Sequence, residues 1–163
     1  MTWYLVFTKP QKESYAGKKL TEQGFTVYCP LRLHEKIVRQ KRVIKHLPLF
    51  PRYFFIYHDD LFLAQQHTIR STPGVSQLIS TDGSPYLIDD AIIHLIMNKE
   101  QDDQSSPEHF FNHGDRVTIT QGVLRDMEAI YDCEDGEHRA ILLINLLHKS
   151  HPIKVNKIDL RKS

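Results

Sequence analysis

A basic stretch that runs directly into an apolar, proline-punctuated one limits the folds open to this chain. In the first part, Arg32 to Lys45, six lysines and arginines face a single acidic residue, Glu35. β-Branched residues on both sides of Arg39-Gln40 favour strands, so the pattern predicts a long hairpin with a polar tip. The second part, Leu47 to Pro51, cannot be a central strand because proline removes a ladder hydrogen bond.

Two interpretations of this stretch stay open on the residues alone. The charges either belong to a solvated hairpin, with Tyr53 to Tyr57 as a core strand, or form a cationic arm for nucleic-acid phosphates beside an aromatic protein-docking surface. Residues 1–60 carry 11 lysines and arginines against 5 acidic residues, whereas residues 61–163 carry 10 against 15. The basic residues 1–60 suit a nucleic-acid contact, and the acidic residues 61–163 suit an internal competitor for that contact or a protein partner.

Composition indicates a soluble globular protein of one ordinary domain or two small ones, since 40% of 163 residues are hydrophobic and 25% charged. No apolar run could span a bilayer and no signal-peptide pattern is present, so we expect a cytoplasmic protein without membrane contact. Cys29 and Cys133 match no metal or redox spacing and are expected to be reduced thiols. The closely spaced histidine pairs lack partners for a zinc site. Without a phosphate-binding loop or nucleophile motif, we expect no cofactor and no enzymatic activity.

The order of predicted elements gives an α+β domain over residues 1–99. Strands are predicted at Trp3–Lys9, Phe25–Cys29, Tyr53–Tyr57 and Val75–Ser80, and helices at 11–23, 61–66 and 90–98. Gly24 is expected to end the first helix, Asp59-Asp60 to begin the second and Asp89 to cap the third. Residues 68–74 are predicted to be a polar connection.

The rest of the chain is predicted as a flexible acidic linker, residues 100–112, and a small domain, residues 113–163. Strand-like alternation at Arg116–Thr120, a turn at Asp135-Gly136 and a strand over Ile153–Ile158 favour a five-stranded barrel. Helical spacing favours a helical hairpin instead. The residues at that spacing are Val123, Met127, Ile130 and Tyr131, then Leu142, Leu143, Leu146 and Leu147.

Several motifs together resemble one known family. They are WYL at Trp3–Leu5, LHEKIVRQKR at Leu33–Arg42, PLFP at Pro48–Pro51, PGVS at Pro73–Ser76 and DGE-R at Asp135–Arg139. This arrangement resembles the NusG family of transcription elongation factors, and more closely its specialised paralogue RfaH and the plasmid-borne relatives of RfaH. The resemblance implies an NGN-type α/β sandwich with a protruding basic hairpin, followed by a KOW-type domain. In that subfamily the second domain packs as a helical hairpin on the aromatic surface of the first, and refolds to a barrel when released.

The resemblance also implies partners. The first domain is expected to dock on the clamp helices of the largest RNA polymerase subunit through an exposed aromatic cluster. The matching positions are Phe7, Phe50, Pro51, Tyr53 and Phe55, with Gln65, Gln66, His67 and Thr68 as a partial match to a second polymerase contact. Exposed non-template single-stranded DNA is expected to bind a further set. That set is Lys9, Lys12, Tyr15, Lys19, Gln23, Arg70, Thr72, Gly74 and Val75.

Two positions depart from the subfamily pattern. Pro73 stands where an arginine is expected, so the DNA sequence read is expected to be different or less strict. Leu47 stands where a glutamate would pair with Arg139, so apolar packing is expected to hold the domains together. The residues expected at that interface are Arg139, Leu142, Leu143 and Leu146, against Phe50 and Tyr53. The freed barrel is expected to contact a small-subunit ribosomal protein through Ile119, Tyr131 and Leu146.

The expected function is therefore operon-specific elongation and antitermination by a monomer that resists clamp opening. One alternative is a generalist NusG-like factor with a permanent barrel, which Pro73 favours. Another is a ribosome- or RNA-binding KOW protein that never contacts polymerase, which would explain the basic hairpin but not the aromatic stretch beside it.

Overall fold

The computed structural model describes residues 2–59, 61–102 and 121–149. The strands are β1 (Thr2–Thr8), β2 (Thr26–Tyr28), β3 (Leu31–Val38), β4 (Lys41–Pro48), β5 (Tyr53–Tyr57), β6 (Val75–Leu78), β7 (Ser80–Thr81), β8 (Ser84–Pro85) and β9 (Leu87–Asp89). The helices are α1 (Glu13–Glu22), α2 (Leu63–Ser71), α3 (Asp90–Asp102), α4 (Gln121–Asp132) and α5 (Gly136–Lys149). Within these ranges, no helix combines the length and the apolar character needed to cross a membrane.

A central antiparallel sheet separates two apolar clusters. Its strand order is β2-β5-β1-β6, with β9 also paired to β1. Because side chains alternate along a strand, Phe54 and Ile56 point to one face and Phe55 to the other. The first face packs with Leu20 of α1 and Ile69 of α2, whereas the second packs under α3, α4 and α5. The predicted burial of Phe54 and Ile56 is confirmed.

Strands β3 and β4 form the predicted hairpin outside the central sheet. Eight residue pairs lie opposite one another, from Leu31 and Pro48 at the root to Val38 and Lys41 at the tip. Arg39 and Gln40 have φ values of 52° and 65°, the left-handed geometry of a two-residue hairpin turn. Pro48 is tolerated at the end of β4 because this ribbon has only two strands.

The prediction around α2 was wrong in two respects. Asp59 does not begin this helix; its carboxylate accepts a hydrogen bond from the Tyr57 hydroxyl, and Phe62 occupies the N-cap position. The helix also includes Thr68 and Ser71, which were predicted as a connection. Their hydroxyls donate to backbone carbonyls of the preceding turn, so these polar residues are satisfied within the helix.

Helix α3 begins as predicted and ends later than predicted. The Asp89 carboxylate accepts a hydrogen bond from Ala91 N at 2.9 Å, which caps the first turn. In the last turn, Glu100 accepts hydrogen bonds from the Tyr28 hydroxyl at 2.6 Å and from Leu31 N at 2.9 Å. These contacts tie the helix to the root of the hairpin and extend it to Asp102. The remainder of the predicted linker lies outside the described residues.

Helices α4 and α5 form a helical hairpin, and both predicted apolar stripes face the domain that precedes them. The prediction of a β-turn at Asp135-Gly136 was wrong, because Asp135 caps α5. Its carboxylate accepts a hydrogen bond from Glu137 N at 3.1 Å, and its carbonyl accepts one from Arg139 N at 3.0 Å. The strands predicted at 116–120 and 153–158 lie outside the described residues.

Candidate functional site

The aromatic set expected to bind a protein partner is only partly accessible. Phe50 and Phe55 have no exposed surface, whereas Phe7, Pro51 and Tyr53 are half-buried. The expectation of an open aromatic patch is therefore not met in this structure. Alternation along β5 directs Phe55 away from Phe54, and the loop after β4 places Phe50 edge-on to Phe55 with centroids 6.2 Å apart. Both rings lie beneath the helical hairpin.

The cover over these rings consists of side chains from both C-terminal helices. Met127 and Ile130 of α4 and Leu143, Leu146 and Leu147 of α5 join Phe50 and Phe55 in one buried cluster. The expected interface residues Leu143 and Leu146 are buried, and Leu142 is half-buried against the same cluster. Burial of this much apolar surface is the main attraction between hairpin and sheet.

A strip beside this cover stays partly open. The rings of Phe7 and Tyr53 lie 4.9 Å apart between centroids, and the Arg52 guanidinium lies 4.1 Å above the Phe7 ring. A cavity of about 430 Å³ separates these residues from Ile141 and Ile144 of α5. The aromatic surface is thus covered at its centre and accessible along one edge.

Arg139 holds the helical hairpin to the first domain through backbone carbonyls, since Leu47 offers it no carboxylate. Its Nε donates to the Leu49 carbonyl at 2.8 Å, and its Nη1 donates to the carbonyls of Cys133 at 2.9 Å and Glu134 at 2.7 Å. Arg139 is 5% exposed, and this burial, with the charge of Arg32 nearby, lowers the pKa of its guanidinium. Leu47 therefore leaves no unpaired cation, because three backbone carbonyls replace the missing carboxylate.

A second arginine contact at this interface was not predicted. The Arg32 guanidinium donates from Nη1 to the Cys133 carbonyl at 2.8 Å, so the root of the β3–β4 hairpin also holds the end of α4. Cationic groups are favoured at a helix C-terminus, where carbonyls lack intrahelical partners. Sequence carries no signal for such contacts because the acceptors are backbone atoms.

The residues expected to contact a ribosomal protein are not accessible as a set. The Tyr131 hydroxyl donates to the Ile96 carbonyl at 2.9 Å, and Leu146 is 1% exposed. Ile119 lies outside the described residues. In this arrangement Tyr131 and Leu146 contribute to the interdomain packing instead.

Four of the residues expected to bind DNA lie together on and just before α1, beside the turn before β6: Lys9, Lys12, Tyr15 and Lys19. Lys12 Nζ and Lys19 Nζ lie 5.3 Å and 5.8 Å from the centroid of the exposed Tyr15 ring. Lys9 N donates to the Gly74 carbonyl at 2.9 Å, which places that lysine beside the same turn. The arrangement offers an aromatic platform flanked by cations, as single-stranded nucleic acids require.

Three of the residues expected to bind DNA support the turn before β6 and do not lie on the surface. Thr72, Gly74 and Val75 are buried, so neither the two side chains nor the glycine backbone is presented to a ligand. Thr72 instead accepts a hydrogen bond from the Gln23 amide at 3.1 Å. Arg70 is exposed, and its guanidinium lies 3.4 Å from the Ser80 hydroxyl.

Gly74→Ala is expected to destabilise the folded chain by about 2–3 kcal/mol. Gly74 has φ +90°, and an added Cβ would lie 3.1 Å from Ala16 Cβ and 3.2 Å from Tyr15 Cδ1. Gly83→Ala is the matched control, since Gly83 has φ +82° but no described atom within 4 Å of the added Cβ. Denaturant unfolding should show the larger loss at Gly74, and equal losses would contradict the close packing of the turn on α1.

The partial match to a second polymerase contact is dispersed. Gln66 is buried, and its amide donates to the Leu61 carbonyl at 3.0 Å. Gln65 and Thr68 are half-buried, and His67 is exposed. Only His67 is freely presented, so the structure does not bring these residues together as one surface.

The cysteines and histidines form no reactive centre in the described part of the chain. Cys29 and Cys133 are free thiols, and burial raises the pKa of Cys29 to about 12. Within the described ranges no three histidine, cysteine or carboxylate groups are placed to hold a metal ion.

The family model and the curated relatives that match this chain carry the same family description. A family model described as transcription termination factor nusG matches residues 1–97. The transcription termination/antitermination protein NusG of Helicobacter pylori strain 26695 is 26% identical over 167 residues, covering 95% of this chain and 94% of that protein. The same protein of strain J99 matches with the same identity and coverage. A solved structure described as domain interaction in Thermotoga maritima NusG covers 71% of this chain and 68% of its own, with a TM-score of 0.47 and 21% identity.

Proposed function

This chain belongs to the NusG family of transcription termination and antitermination factors, and from that premise we propose that it is a specialised, RfaH-like member that binds RNA polymerase only after its helical hairpin is released. The observation that carries the proposal is the burial of Phe50 and Phe55 beneath α4 and α5. A factor that binds every transcribing complex would gain nothing from covering its own docking surface. One that acts only at selected operons needs such a cover.

The released form would dock on the clamp helices of the largest polymerase subunit through the aromatic surface. Phe50 and Phe55 would supply buried anchors and Tyr53 a ring at the margin, as aromatic side chains commonly do in interfaces. A bridge from the clamp across the DNA cleft would resist clamp opening, and so disfavour pausing and termination. The partly open strip at Phe7 and Tyr53 would allow first contact before the cover leaves.

The C-terminal segment would adopt a second fold once released. Residues 116–120 alternate as a strand, while residues 123–147 carry helical stripes, so two packings of one sequence are within reach. A KOW-type barrel would then present Ile119, Tyr131 and Leu146, which could contact a small-subunit ribosomal protein and so couple transcription to translation. In this proposal the protein is a cytoplasmic monomer without enzymatic activity.

Selection of the target would fall to the basic face on α1. Tyr15 between Lys12 and Lys19 can stack on a splayed base while the lysines bind phosphates, which is how single-stranded DNA is held without a duplex. Exposed non-template DNA in a paused complex offers such a strand. This contact would hold the factor at the polymerase while the helical hairpin leaves.

Lys19→Ala and Lys9→Ala are each expected to weaken recruitment to a paused elongation complex by about three- to tenfold, because each removes a phosphate contact. Recruitment can be measured by fluorescence anisotropy of labelled protein on complexes assembled with purified polymerase. Arg125→Ala, which removes one exposed cation from α4, is the matched control. Unchanged recruitment in both variants would remove the α1 face from the proposal, and failure of the unaltered protein to bind any transcribing complex would overturn the proposal itself.

A generalist NusG-like factor with a permanent barrel is the second candidate, and Pro73 favours it. Pro73 gives the turn the sequence Thr-Pro-Gly-Val, as in ordinary members of the family, in place of a base-reading arginine. The helical α4 and α5 oppose this candidate because a permanent barrel would leave Phe50 uncovered. Binding to polymerase that is independent of DNA sequence and of helical-hairpin release would favour the generalist.

A further inference from the structure

Two arginines meet at one backbone oxygen where the helical hairpin contacts the first domain. Arg32 and Arg139 both donate through Nη1 to the Cys133 carbonyl, at 2.8 Å and 2.9 Å. Within the described residues neither guanidinium forms an ion pair with a carboxylate. Backbone carbonyls accept their hydrogen bonds but carry no net charge, so two positive charges lie side by side without a neutralising anion.

Arg139 also keeps a hydrogen-bond donor in reserve. Its Nε and Nη1 donate to three backbone carbonyls, whereas its Nη2 donates to no acceptor in the described part of the chain. Arg139 lies in the wall of a cavity of about 310 Å³ together with Arg32 and His34. Arginine binds phosphate oxygens in a bidentate manner, so two adjacent guanidinium groups beside a cavity suit a phosphate.

A larger cavity of about 820 Å³ adjoins the first one, because four residues line both. They are His34, Leu47, Glu134 and Arg139. The larger cavity is mostly apolar, and the first domain contributes Leu31, Pro48 and Pro51 to its wall. Small-molecule sites commonly have volumes of about 300–1,000 Å³ and an apolar lining with a few polar groups. The two cavities together therefore offer a cationic end and an apolar end.

The junction between the two cavities carries one carboxylate. Glu134 is exposed, lines both cavities and forms no ion pair in the described ranges. A carboxylate repels a phosphate, but it accepts hydrogen bonds from the hydroxyl groups of a ribose. The order of groups across the site is cationic, then acidic, then apolar, which matches the phosphate, ribose and base of a nucleotide.

We propose that this interdomain site binds a nucleoside diphosphate or triphosphate, with its phosphates at Arg32 and Arg139 and its base against the apolar wall. Arg32 belongs to the first domain and Arg139 to the helical hairpin, so the site is complete only while the two are packed together. A bound nucleotide therefore stabilises the closed arrangement and opposes release of the helical hairpin. This regulatory consequence rests on the proposed function, whereas the binding itself does not.

Isothermal titration calorimetry of the full chain with ADP, GDP and inorganic pyrophosphate tests the site. At least one nucleotide is expected to bind, and pyrophosphate at least about tenfold more weakly, because it has no base to cover the apolar wall. Arg32→Gln is expected to weaken nucleotide binding at least about tenfold by removing a charged hydrogen-bond donor. Arg125→Gln, which removes an exposed cation from α4, is the matched control and should bind as the unaltered chain does.

Leu47→Glu tests the same site without removing a contact between the domains. Leu47 lies opposite Arg32 in the β3–β4 register and lines both cavities with Arg139. The added carboxylate is expected to neutralise the guanidinium groups, to keep the helical signal in the far ultraviolet, and to weaken nucleotide binding at least about tenfold. This variant decides the matter if Arg32→Gln loses its helical signal.

Any of four calorimetric results would overturn the proposed site. They are no binding of either nucleotide, pyrophosphate binding as tight as nucleotide binding, equal nucleotide affinity in Arg32→Gln and Arg125→Gln, and nucleotide affinity in Leu47→Glu equal to that of the unaltered chain.

The regulatory consequence is tested on transcribing complexes stalled with purified polymerase. The nucleoside diphosphate that binds is expected, at saturation, to lower the affinity of the unaltered chain for the complex at least about threefold, and to have no effect on Leu47→Glu. Equal affinity of the unaltered chain with and without the nucleotide would overturn the regulation. Failure of the unaltered chain to bind any complex would instead overturn the proposed function and leave the calorimetric result intact.

Discussion

Phe50→Ala is expected to reduce the free energy of unfolding by about 3–5 kcal/mol, the range for removing a fully buried phenyl ring. Phe50 is fully buried, and the side chains around it come from the sheet, from α3 and from the helical hairpin at once. A cavity there cannot collapse without moving three layers. Denaturant unfolding monitored by circular dichroism measures the loss.

The same substitution is expected to lower affinity for polymerase by at least about tenfold, because an interface anchor is removed. Phe50→Ala is thus expected to lower both stability and polymerase affinity. Weaker packing of the helical hairpin would by itself favour polymerase binding, so the lost affinity must come from the missing ring. Phe62→Ala is the matched control, since Phe62 is 65% exposed at the start of α2. A variant that is destabilised by less than about 1 kcal/mol, or that binds polymerase as the unaltered chain does, would contradict the dual role of Phe50.

Arg139→Ala is expected to act on polymerase binding in the opposite direction. It removes the donor to the carbonyls of Leu49, Cys133 and Glu134, and at least the Leu49 contact is buried. Leaving buried acceptors unpaired costs about 1–3 kcal/mol for each group, so the packing of the helical hairpin should weaken by about 3 kcal/mol. A shift of that size changes the ratio of closed to open forms by about a hundredfold.

The expected results for Arg139→Ala are a weaker helical signal in the far ultraviolet, stronger binding of a hydrophobic dye and higher affinity for polymerase. Arg139→Lys should be intermediate, because an ammonium group cannot reach acceptors on both sides as a guanidinium does. Arg125→Ala, at an exposed position of α4, is the control. If Arg139→Ala kept the full helical signal and bound polymerase no better than the control, Arg139 would not hold the helical hairpin closed.

Sequence alone predicted the strands and helices that show a clear periodicity of apolar residues within the element itself. The alternation in β5 predicted the burial of Phe54 and Ile56, and the residues around Arg39-Gln40 predicted a hairpin with a polar tip. The helical stripes of α4 and α5 were equally readable, although the same residues also allowed a barrel. Local pattern could not choose between them, because the choice depends on whether Phe50 and Phe55 are available to be covered.

The errors share a different cause. Helix α2 was predicted too short because Thr68 and Ser71 are ordinary loop residues until their hydroxyls find carbonyls inside a helix. Apolar packing was expected to hold the domains together, and the backbone carbonyls that bind Arg139 were not predicted because their positions depend on the tertiary fold. Thr72 and Val75 were assigned to a ligand surface that a buried side chain cannot reach. Hydrogen bonds to backbone carbonyls cannot be predicted from the side chains in the sequence, because every residue carries the same carbonyl group.

The Cys133 carbonyl accepts hydrogen bonds from both Arg32 and Arg139, which lie on different sides of the interface. Cys133 and Arg139 move together with the helical hairpin, so its withdrawal breaks the Arg32–Cys133 and Arg139–Leu49 contacts in one movement. A partly detached hairpin therefore keeps little of the attraction and gains little freedom. Detachment should consequently be all-or-none, with a sharp threshold in the strength of the competing partner. Such a protein would stay closed with a weakly binding partner and would release its helical hairpin completely with a strongly binding one.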